Sequence, residues 1–503
     1  MNVLFIITDA LRADDLGCYG NVHVKTPNID RLAKESVRFT DYYCTNPICM
    51  PNRATMLTGL YPNVHGVRSN GMILDQDIPR ITDALRKSGW HSASIGKIHH
   101  QFWIAPYKRK IKSAEDIVSW AVNKGQNEPV RENFPLPYYG YEEVDLVAGN
   151  GTICAGHYSN WLEEKSPEIA EKVRQWAINY DNLFSLFCEE IPEDLYNTTY
   201  VKERTIAFLE KYSRGEKGDK PFYLNCSFPD PHYPVYPPRE FLEMYNPEDI
   251  ELPSSFSDVK NLYNHEYLGP HLKNPPFKRA FLRETTEEEA RKFIAFSHAS
   301  ISYVDHCVGE ILATLEKTGY SENTIIIFTS DHGDLMGDHG LLFKGPCPFN
   351  GVLHIPLIWK VPGVTNPGIS NSLVSSIDYP KTILNVLGIR EKRHPPNMQG
   401  YNITPILKNP EVKVRDCCFI ENDEEVGPLK SRLRHLITED YKLTVYESLA
   451  NYGDIYDRKN DPDELNNLWY DENFKEVKFE LVNKLLHEQL KAQTRYPERV
   501  AGS

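Results

Sequence analysis

The stretch NVLFIIT, residues 2–8, is a run of apolar and β-branched residues that ends directly at the acidic residue Asp9. Such a run is typical of a strand that is buried on both faces, as strands of parallel sheets are. Three further runs have the same character, at residues 92–95 (SASI), 221–228 (PFYLNCSF) and 324–330 (TIIIFTS). Because helical stretches alternate with these runs, the sequence predicts the α/β class, with a large mixed, mostly parallel sheet flanked by helices.

Residues that can carry chemistry follow each of the four predicted strands. Asp9 follows the first, GKIH (96–99) the second, PDPH (229–232) the third and DHG (331–333) the fourth. In open α/β sheets, ligands bind beyond the carboxyl ends of the strands. We therefore expect these four strand ends to share one functional site.

Composition and charge exclude several classes of protein. The 503 residues are 41% hydrophobic and 25% charged, which is ordinary for a globular chain of one large and one smaller domain. The net charge of −14 argues against a broad nucleic-acid-binding surface, and the apolar runs are too short to cross a membrane. Because Met1 leads straight into a strand and the ten cysteines form no CxxC pair, we expect a cytoplasmic protein.

The pattern changes twice along the chain. Residues 100–220 are rich in aromatic and charged residues and show a weak strand pattern, so we expect a long insertion that walls a substrate pocket or forms a solvated helical excursion. Beyond about residue 400, residues 433–446 predict antiparallel strands and residues 474–492 a helix. The predicted organisation is a catalytic domain at 1–400 and, at 401–503, a smaller α+β subdomain built on a short antiparallel sheet.

The strongest local motif is CMPNR, residues 49–53, followed by ATMLTG. Pro51 suits the start of a helix, so Cys49 is expected just ahead of a helix N-terminus, where free amides and the helix dipole favour an anion. Arg53 adds a fixed cation that orients a neighbouring group or the anion. The alternative is a buried structural cysteine before a helix.

This motif resembles the Cys-x-Pro-x-Arg signature of the formylglycine-dependent, Cys-type sulfatases of the alkaline phosphatase superfamily. The resemblance implies an alkaline phosphatase-like fold and oxidation of Cys49 to formylglycine (3-oxoalanine) by a maturation enzyme. The hydrated aldehyde is a geminal diol: one hydroxyl attacks sulfur and releases the alcohol, and the other expels sulfate. It also implies a small sulfated substrate as the partner.

Three other segments match the same family. Residues 89–99 (GWHSASIGKIH) resemble its second signature, which implies that Lys97 contacts sulfate and the diol and that His99 orients or deprotonates the diol. Residues 231–234 (PHYP) resemble its Pro-His-x-Pro segment, which implies that His232 protonates the leaving alcohol. Lys344 matches a second sulfate-binding lysine. Asp338 and His339, in the loop before it, are expected to hold that loop.

The resemblance also implies a site for one divalent cation. Its ligands would be Asp9, Asp331, His332 and an oxygen of the modified Cys49. Carboxylate-rich ligation suits Ca²⁺, our first expectation, with Mn²⁺ and Mg²⁺ as alternatives. One departure bears on the identity of the metal: many sulfatases carry two adjacent acidic residues after the first strand, and this chain has Ala10 in the second position.

Several interpretations stay open at this point. Asn70 resembles a polar contact near the anion in related phosphonate monoester hydrolases, although Asn-Gly is also an ordinary turn. A phosphonate or phosphate diester hydrolase on the same scaffold is the first alternative function, which the Lys97-x-His99 pair argues against. A non-catalytic binder of sulfated ligands is the second. The expected substrate is a sulfated carbohydrate, or otherwise an aryl or steroid sulfate, and a homo-oligomer is compatible with the sequence.

Overall fold

The computed structural model describes residues 1–104, 111–122, 134–179, 185–274, 282–425 and 431–493. The strands are β1 Asn2–Asp9, β2 Val37–Phe39, β3 Tyr42–Tyr43, β4 His91–Gly96, β5 Glu143–Asn150, β6 Ile153–Gly156, β7 Phe222–Pro231, β8 Arg283–Glu284, β9 Thr324–Ser330, β10 Leu341–Leu342, β11 Leu357–Lys360, β12 Gly368–Ser370, β13 Val374–Ser375, β14 Cys418–Glu424, β15 Ser431–Ile437, β16 Tyr441–Tyr446 and β17 Gly453–Asp457. The α-helices span Pro27–Lys34, Cys49–Thr58, Pro62–His65, Ile81–Lys87, Ile117–Val122, His157–Lys165, Pro167–Ile178, Asn197–Ser213, Arg239–Leu242, Val259–Leu262, Leu268–Leu272, Glu287–Lys317, Asp378–Val386, Thr404–Lys408 and Lys475–Ala492.

A nine-stranded mixed sheet has the order β12-β2-β11-β9-β1-β7-β4-β5-β6. The five strands from β9 to β5 run parallel, while β11 and β6 pair antiparallel with their neighbours. The four strands predicted from the sequence are therefore confirmed, and they lie side by side as β9-β1-β7-β4. Their carboxyl ends meet at one edge of the sheet.

Side chains of β1 alternate between the two faces of the sheet. Val3, Phe5 and Ile7 join one apolar core, while Leu4 and Ile6 join the other. All eight residues of β1 are buried, as expected of a strand covered by helices on both faces. The long helix Glu287–Lys317 covers the second face, and its N-terminus is capped by the Thr286 side chain, which accepts a hydrogen bond from the Glu289 amide.

The long insertion expected at 100–220 contains two strands that its weak strand pattern did not predict. Strands β5 and β6 from this region extend the central sheet, and the helix Asn197–Ser213 packs on it against β7. The strand pattern is weak because β5 reads EVDLVAGN, with charges at one end and Ala, Gly and Asn at the other. Burial between the sheet and its helices overrides this low propensity.

A four-stranded antiparallel sheet, β14-β15-β16-β17, follows in the C-terminal region. Leu481 and Leu485 of the helix Lys475–Ala492 pack on its apolar face. The predicted strands within 433–446 and the predicted helix at 474–492 are confirmed, the helix to within one residue. In the described part of the chain, none of the helices combines the length and the apolar character needed to cross a membrane.

Candidate active site

The ends of the four central strands bring their polar residues together. Asp9 ends β1, Lys97 follows β4, His232 follows β7, and the pair Asp331-His332 follows β9. All five side chains are buried, with exposed fractions of 2% or less. The shared site expected from the sequence thus lies at the carboxyl edge of the parallel strands, as in other open α/β sheets.

Cys49 reaches this cluster from the helix Cys49–Thr58. The sequence predicted Cys49 just ahead of the helix, and the structure places it one position further on, as the first helical residue after the N-cap Ile48. The adjacent Met50 amide donates to the Asn70 side chain at 3.2 Å, so Asn70 does lie at this helix N-terminus. The helix ends at Gly59, whose left-handed φ of 74° suits a glycine.

The sulfur of Cys49 lies among the predicted metal ligands. Its Sγ is 3.1 Å from His332 Nε2 and 3.8 Å from Asp9 Oδ1. His332 Nε2 is in turn 3.2 Å from Asp9 Oδ1 and 3.5 Å from Asp331 Oδ1. Because His332 Nδ1 contacts the Gly333 carbonyl at 2.7 Å, the ring is oriented with Nε2 toward the cluster.

Arg53 orients Asp331. Its Nε donates to Asp331 Oδ2 at 2.6 Å, and its Nη1 donates to the Ser227 hydroxyl and to the Lys97 carbonyl. Asn52, from the same helix, donates to the Asp331 carbonyl at 2.6 Å. Of the two roles that the sequence left open for Arg53, the geometry therefore favours orienting a neighbouring group.

Two lysines supply further positive charge. Lys344 Nζ lies 2.9 Å from Cys49 Sγ, 2.8 Å from His232 Nε2 and 2.6 Å from His332 Nε2. Lys97 Nζ is bonded to the Asp9 carboxylate and donates to Asn150 Oδ1 at 2.7 Å. Lys344 therefore lies near the sulfur and Lys97 near the first acid.

His99 and His232 occupy different surroundings. The His99 ring stacks on Trp103 with centroids 3.6 Å apart, and in the described part of the chain no hydrogen bond joins it to Cys49. His232 Nδ1 lies 2.5 Å from the Tyr233 carbonyl, which leaves Nε2 pointing toward Lys344. His232 is thus in the cluster, while His99 lies at its margin beside Lys97.

Burial and charge shift the titration of these groups. Burial alone would raise the pKa of the Cys49 thiol, but Lys344 and His332 outweigh it and lower that pKa to about 7. Burial also lowers the pKa of Lys97 and, together with Lys344, that of His232. Asp331 keeps a lowered pKa despite its burial because Arg53 and the other cations favour its ionised form. The site therefore stabilises negative charge.

The donor set fits a divalent cation. Ligand atoms of Asp9, Cys49, His232 and His332 all lie within 4.8 Å of one another. Asp331 Oδ1 lies beside this group, because its other oxygen is held by Arg53. Carboxylate oxygens with one imidazole suit Ca²⁺, Mg²⁺ or Mn²⁺, and an oxygen in place of the Cys49 sulfur would suit them better than a thiol does.

Ala10 occupies the position after Asp9 where the sequence lacks a second acidic residue, and it contributes its backbone amide to the site. Its amide donates to Asp331 Oδ1 at 3.3 Å, and its φ of 63° is unusual for alanine. The nearby acids are engaged elsewhere: Asp14 pairs with Arg12, and Asp15 lies 3.8 Å from His298. Neither acid is positioned to replace the missing one.

Some supporting residues could not be found from the sequence. Asn150 and Glu115 each bond to a predicted site residue or its backbone, yet each is a single polar residue outside any motif. The expected loop-holding roles of Asp338 and His339 agree with the structure. Asp338 pairs with Arg12 at 2.7 Å and His339 with Asp258 at 2.8 Å.

Known proteins resemble the chain over its whole length. An arylsulfatase of Clostridium perfringens is 27% identical over 98% of this chain and 95% of its own. An N-acetylglucosamine-6-O-sulfatase of Bacteroides thetaiotaomicron is 25% identical over 99% of this chain and 88% of its own. The solved phosphonate monoester hydrolase of Agrobacterium radiobacter superposes with a TM-score of 0.78 at 25% identity, covering 99% of this chain and 97% of that one.

Two family profiles account for most of the sequence. The profile of the N-sulphoglucosamine sulphohydrolase C-terminal region matches residues 337–492. The sulfatase profile matches residues 1–389, which include every site residue predicted above. The chain therefore belongs to the sulfatase family of sulfuric ester hydrolases.

Proposed function

We propose that this sulfatase hydrolyses sulfate esters of carbohydrates, using a formylglycine made from Cys49 and one divalent cation, with Ca²⁺ as the first candidate. The observation that carries the proposal is the position of Cys49 Sγ, which contacts Lys344 and His332 and faces Asp9. A residue at this point, first in a helix and among cations, can present a nucleophile to an anionic ester.

The cation would be held by Asp9, Asp331 and His332, with the modified residue 49 completing the ligands. When bound, it would acidify a hydroxyl of that residue and offset negative charge on the sulfate. Formylglycine would supply the geminal diol that serves as the nucleophile. The remaining work falls to the side chains around it.

Lys97, Lys344 and Arg53 provide three positive charges against the two carboxylates of Asp9 and Asp331, and a bound divalent cation would add two more, so the site would carry net positive charge to bind an anion. Both lysines are buried, and burial lowers the pKa of Lys97. A bound sulfate ester would raise that pKa again and keep the ammonium charged. We assign the two lysines to the sulfate oxygens, and Arg53 to orienting Asp331.

His232 is assigned to the leaving group. Its Nε2 faces the cluster while Nδ1 is held by the Tyr233 carbonyl, so a proton on Nε2 can be delivered to the departing oxygen. Lys344 and Lys97 lower the pKa of His232, and the negative charge of a bound ester would counter that effect. His99 is assigned to the geminal diol, and Asn70 to a polar contact near the bound sulfate.

Replacing His232 tests this assignment through the leaving group. We expect His232→Gln to lower kcat for a sugar sulfate by about 10²–10⁴-fold, since an alkoxide leaves poorly without a proton. For an aryl sulfate with an acidic phenol the loss should be below about tenfold, because the phenolate needs little protonation. Steady-state kinetics on both substrates measure the difference. Equal losses on the two esters would contradict the role of general acid.

The substrate class is the part that most needs a direct test. The N-acetylglucosamine-6-O-sulfatase relative supports a sugar. The purified, matured enzyme should be assayed on N-acetylglucosamine 6-sulfate, a sulfated disaccharide, 4-nitrophenyl sulfate and a phenyl phosphonate monoester. We expect the highest kcat/KM on a sulfated sugar, with slower turnover of the aryl sulfate.

A second candidate function is hydrolysis of phosphonate monoesters. It is favoured by the superposition on the Agrobacterium radiobacter enzyme at a TM-score of 0.78. Both esters present a tetrahedral anion with an alcohol leaving group, so the same cluster could bind either. A higher kcat/KM on the phosphonate than on every sulfate ester would overturn the first proposal in favour of this one.

A further inference from the structure

The loop after β4 holds His99 in an unusual backbone conformation. His99 has a φ of 59°, in the left-handed region that a residue with a Cβ atom adopts at a cost of about 1–2 kcal/mol. Lys97, two residues earlier, does not depend on this conformation, because its amide donates to the Ser227 carbonyl at 3.0 Å as a continuation of the sheet. Something other than the sheet must therefore keep His99 in place.

Glu115 contacts the loop just after Lys97, at the point where the loop stops forming backbone hydrogen bonds with the sheet. Its Oε2 accepts the His99 amide at 2.6 Å, and its Oε1 accepts the amides of His100 and Gln101 at 2.9 and 3.1 Å. The Tyr138 hydroxyl donates to Oε1 at 2.8 Å. One carboxylate thus gathers three successive amides and a phenol.

Burying the Glu115 carboxylate costs free energy, which its hydrogen bonds to the loop must offset. The side chain is fully buried, and in the described part of the chain no Lys, Arg or His forms an ion pair with it. Burial raises the pKa of Glu115, and the bonds from Tyr138 and the three amides oppose that rise. A buried carboxylate of this kind is retained where only an acceptor with two free oxygens satisfies the donors around it.

We propose that Glu115 is a positioning residue that fixes His99 at the margin of the active site for its part in the reaction. The inference rests on the proposed function, since it gives His99 a part in that reaction. Glu115 touches no reacting atom. Its contribution is to hold the His99 backbone in the left-handed conformation that presents the imidazole beside Lys97 and Trp103.

The geometry makes Glu115→Gln a selective probe. The amide oxygen of glutamine can still accept from His100, Gln101 and Tyr138 at the position of Oε1. Its amide nitrogen would then face the His99 N–H, a donor against a donor, where the carboxylate had a bond of 2.6 Å. The substitution therefore releases the His99 amide and keeps the hydrogen bonds from His100, Gln101 and Tyr138.

We expect Glu115→Gln to lower kcat by about 10- to 100-fold and to change KM by less than about threefold, because Lys97 stays held by the sheet. In a His99→Ala background the same substitution should cost less than about threefold, since the group it positions is already gone. A crystal structure of the variant should show the His99 backbone out of the left-handed region.

Asp116→Asn is the matched control. Asp116 is the next residue and is also a buried acid, but among the described residues its carboxylate accepts only from Val118 and Ser119 of its own segment. The kcat of this variant should stay within about twofold of wild type, because the Asp116 side chain bonds within its own segment and not to the His99 loop. If Glu115→Gln fails to fold alone, adding His99→Gly should restore folding, because glycine can turn its N–H away from the glutamine nitrogen without the backbone strain that histidine carries.

The outcomes separate this inference from the proposed function. Three outcomes would each overturn the positioning role. The first is a folded Glu115→Gln enzyme with wild-type kcat. The second is a loss of kcat from Glu115→Gln that is as large in the His99→Ala background as in the wild type, and the third is a Glu115→Gln, His99→Gly double variant that stays unfolded. If wild-type protein cleaved no sulfate ester, the proposed function would fail instead. The crystal structure of Glu115→Gln would then still decide the inference, since an unmoved His99 would refute it.

Discussion

Cys49→Ala is expected to abolish sulfate ester hydrolysis, with a loss of about 10⁴-fold or more, while leaving the fold intact. The substitution removes the side chain from which the nucleophile would be made, and the neighbouring cations cannot replace a covalent step. Removing one buried sulfur atom costs about 1 kcal/mol of stability in a well-packed site. Activity on an aryl sulfate should therefore be lost, while the melting temperature should fall only slightly.

The control for this variant is Cys307→Ala, which removes another fully buried cysteine, in the helix Glu287–Lys317. It should share the small loss of stability and keep wild-type kcat. Mass spectrometry of the Cys49 peptide completes the test, since formylglycine is about 18 Da lighter than cysteine. Turnover retained by Cys49→Ala, or an active preparation in which residue 49 is entirely cysteine, would sink the formylglycine mechanism.

Four of the nine described strands of the central sheet could be predicted, most clearly β1 and β9, because these two are long apolar runs. Residues 2–8 and 324–330 are buried on both faces, so almost every position is selected to be apolar, and the signal is strong. β5 gave no such signal, since it contains Asp145, Gly149 and Asn150. Its place in the sheet comes from pairing with β4 and β6, which a local pattern cannot reveal.

The candidate site was predictable to the extent that its residues follow strands or belong to a motif. Cys49, Asp9 and His332 were expected around one point, and the structure brings their ligand atoms within 4.8 Å of each other. The residues that hold them were not expected. Asn150 reaches Lys97 across 53 positions and Glu115 reaches His99 across 16, from irregular or weakly patterned segments. Such contacts are created by the tertiary fold.

Replacing Asp331 is expected to have the second largest effect, because this side chain serves two partners. Asp331→Ala removes a proposed cation ligand, so the bound metal should fall from about one ion per chain to near zero, and activity should fall with it by about 10³-fold or more. It also leaves Arg53 buried without its carboxylate, and breaking a buried pair in this way costs about 3–5 kcal/mol of stability.

Elemental analysis of the purified variant measures the metal directly and separates the two effects. Asp305→Asn is the control, since Asp305 is also buried but binds the amides of Asn28 and Ile29 at a helix start. It should lose stability and keep its metal, whereas Asp331→Ala should lose both. Adding Ca²⁺ should raise the melting temperature of the wild type and of Asp305→Asn but leave that of Asp331→Ala unchanged. A full complement of metal in Asp331→Ala would show that Asp331 is not a ligand that the bound cation needs.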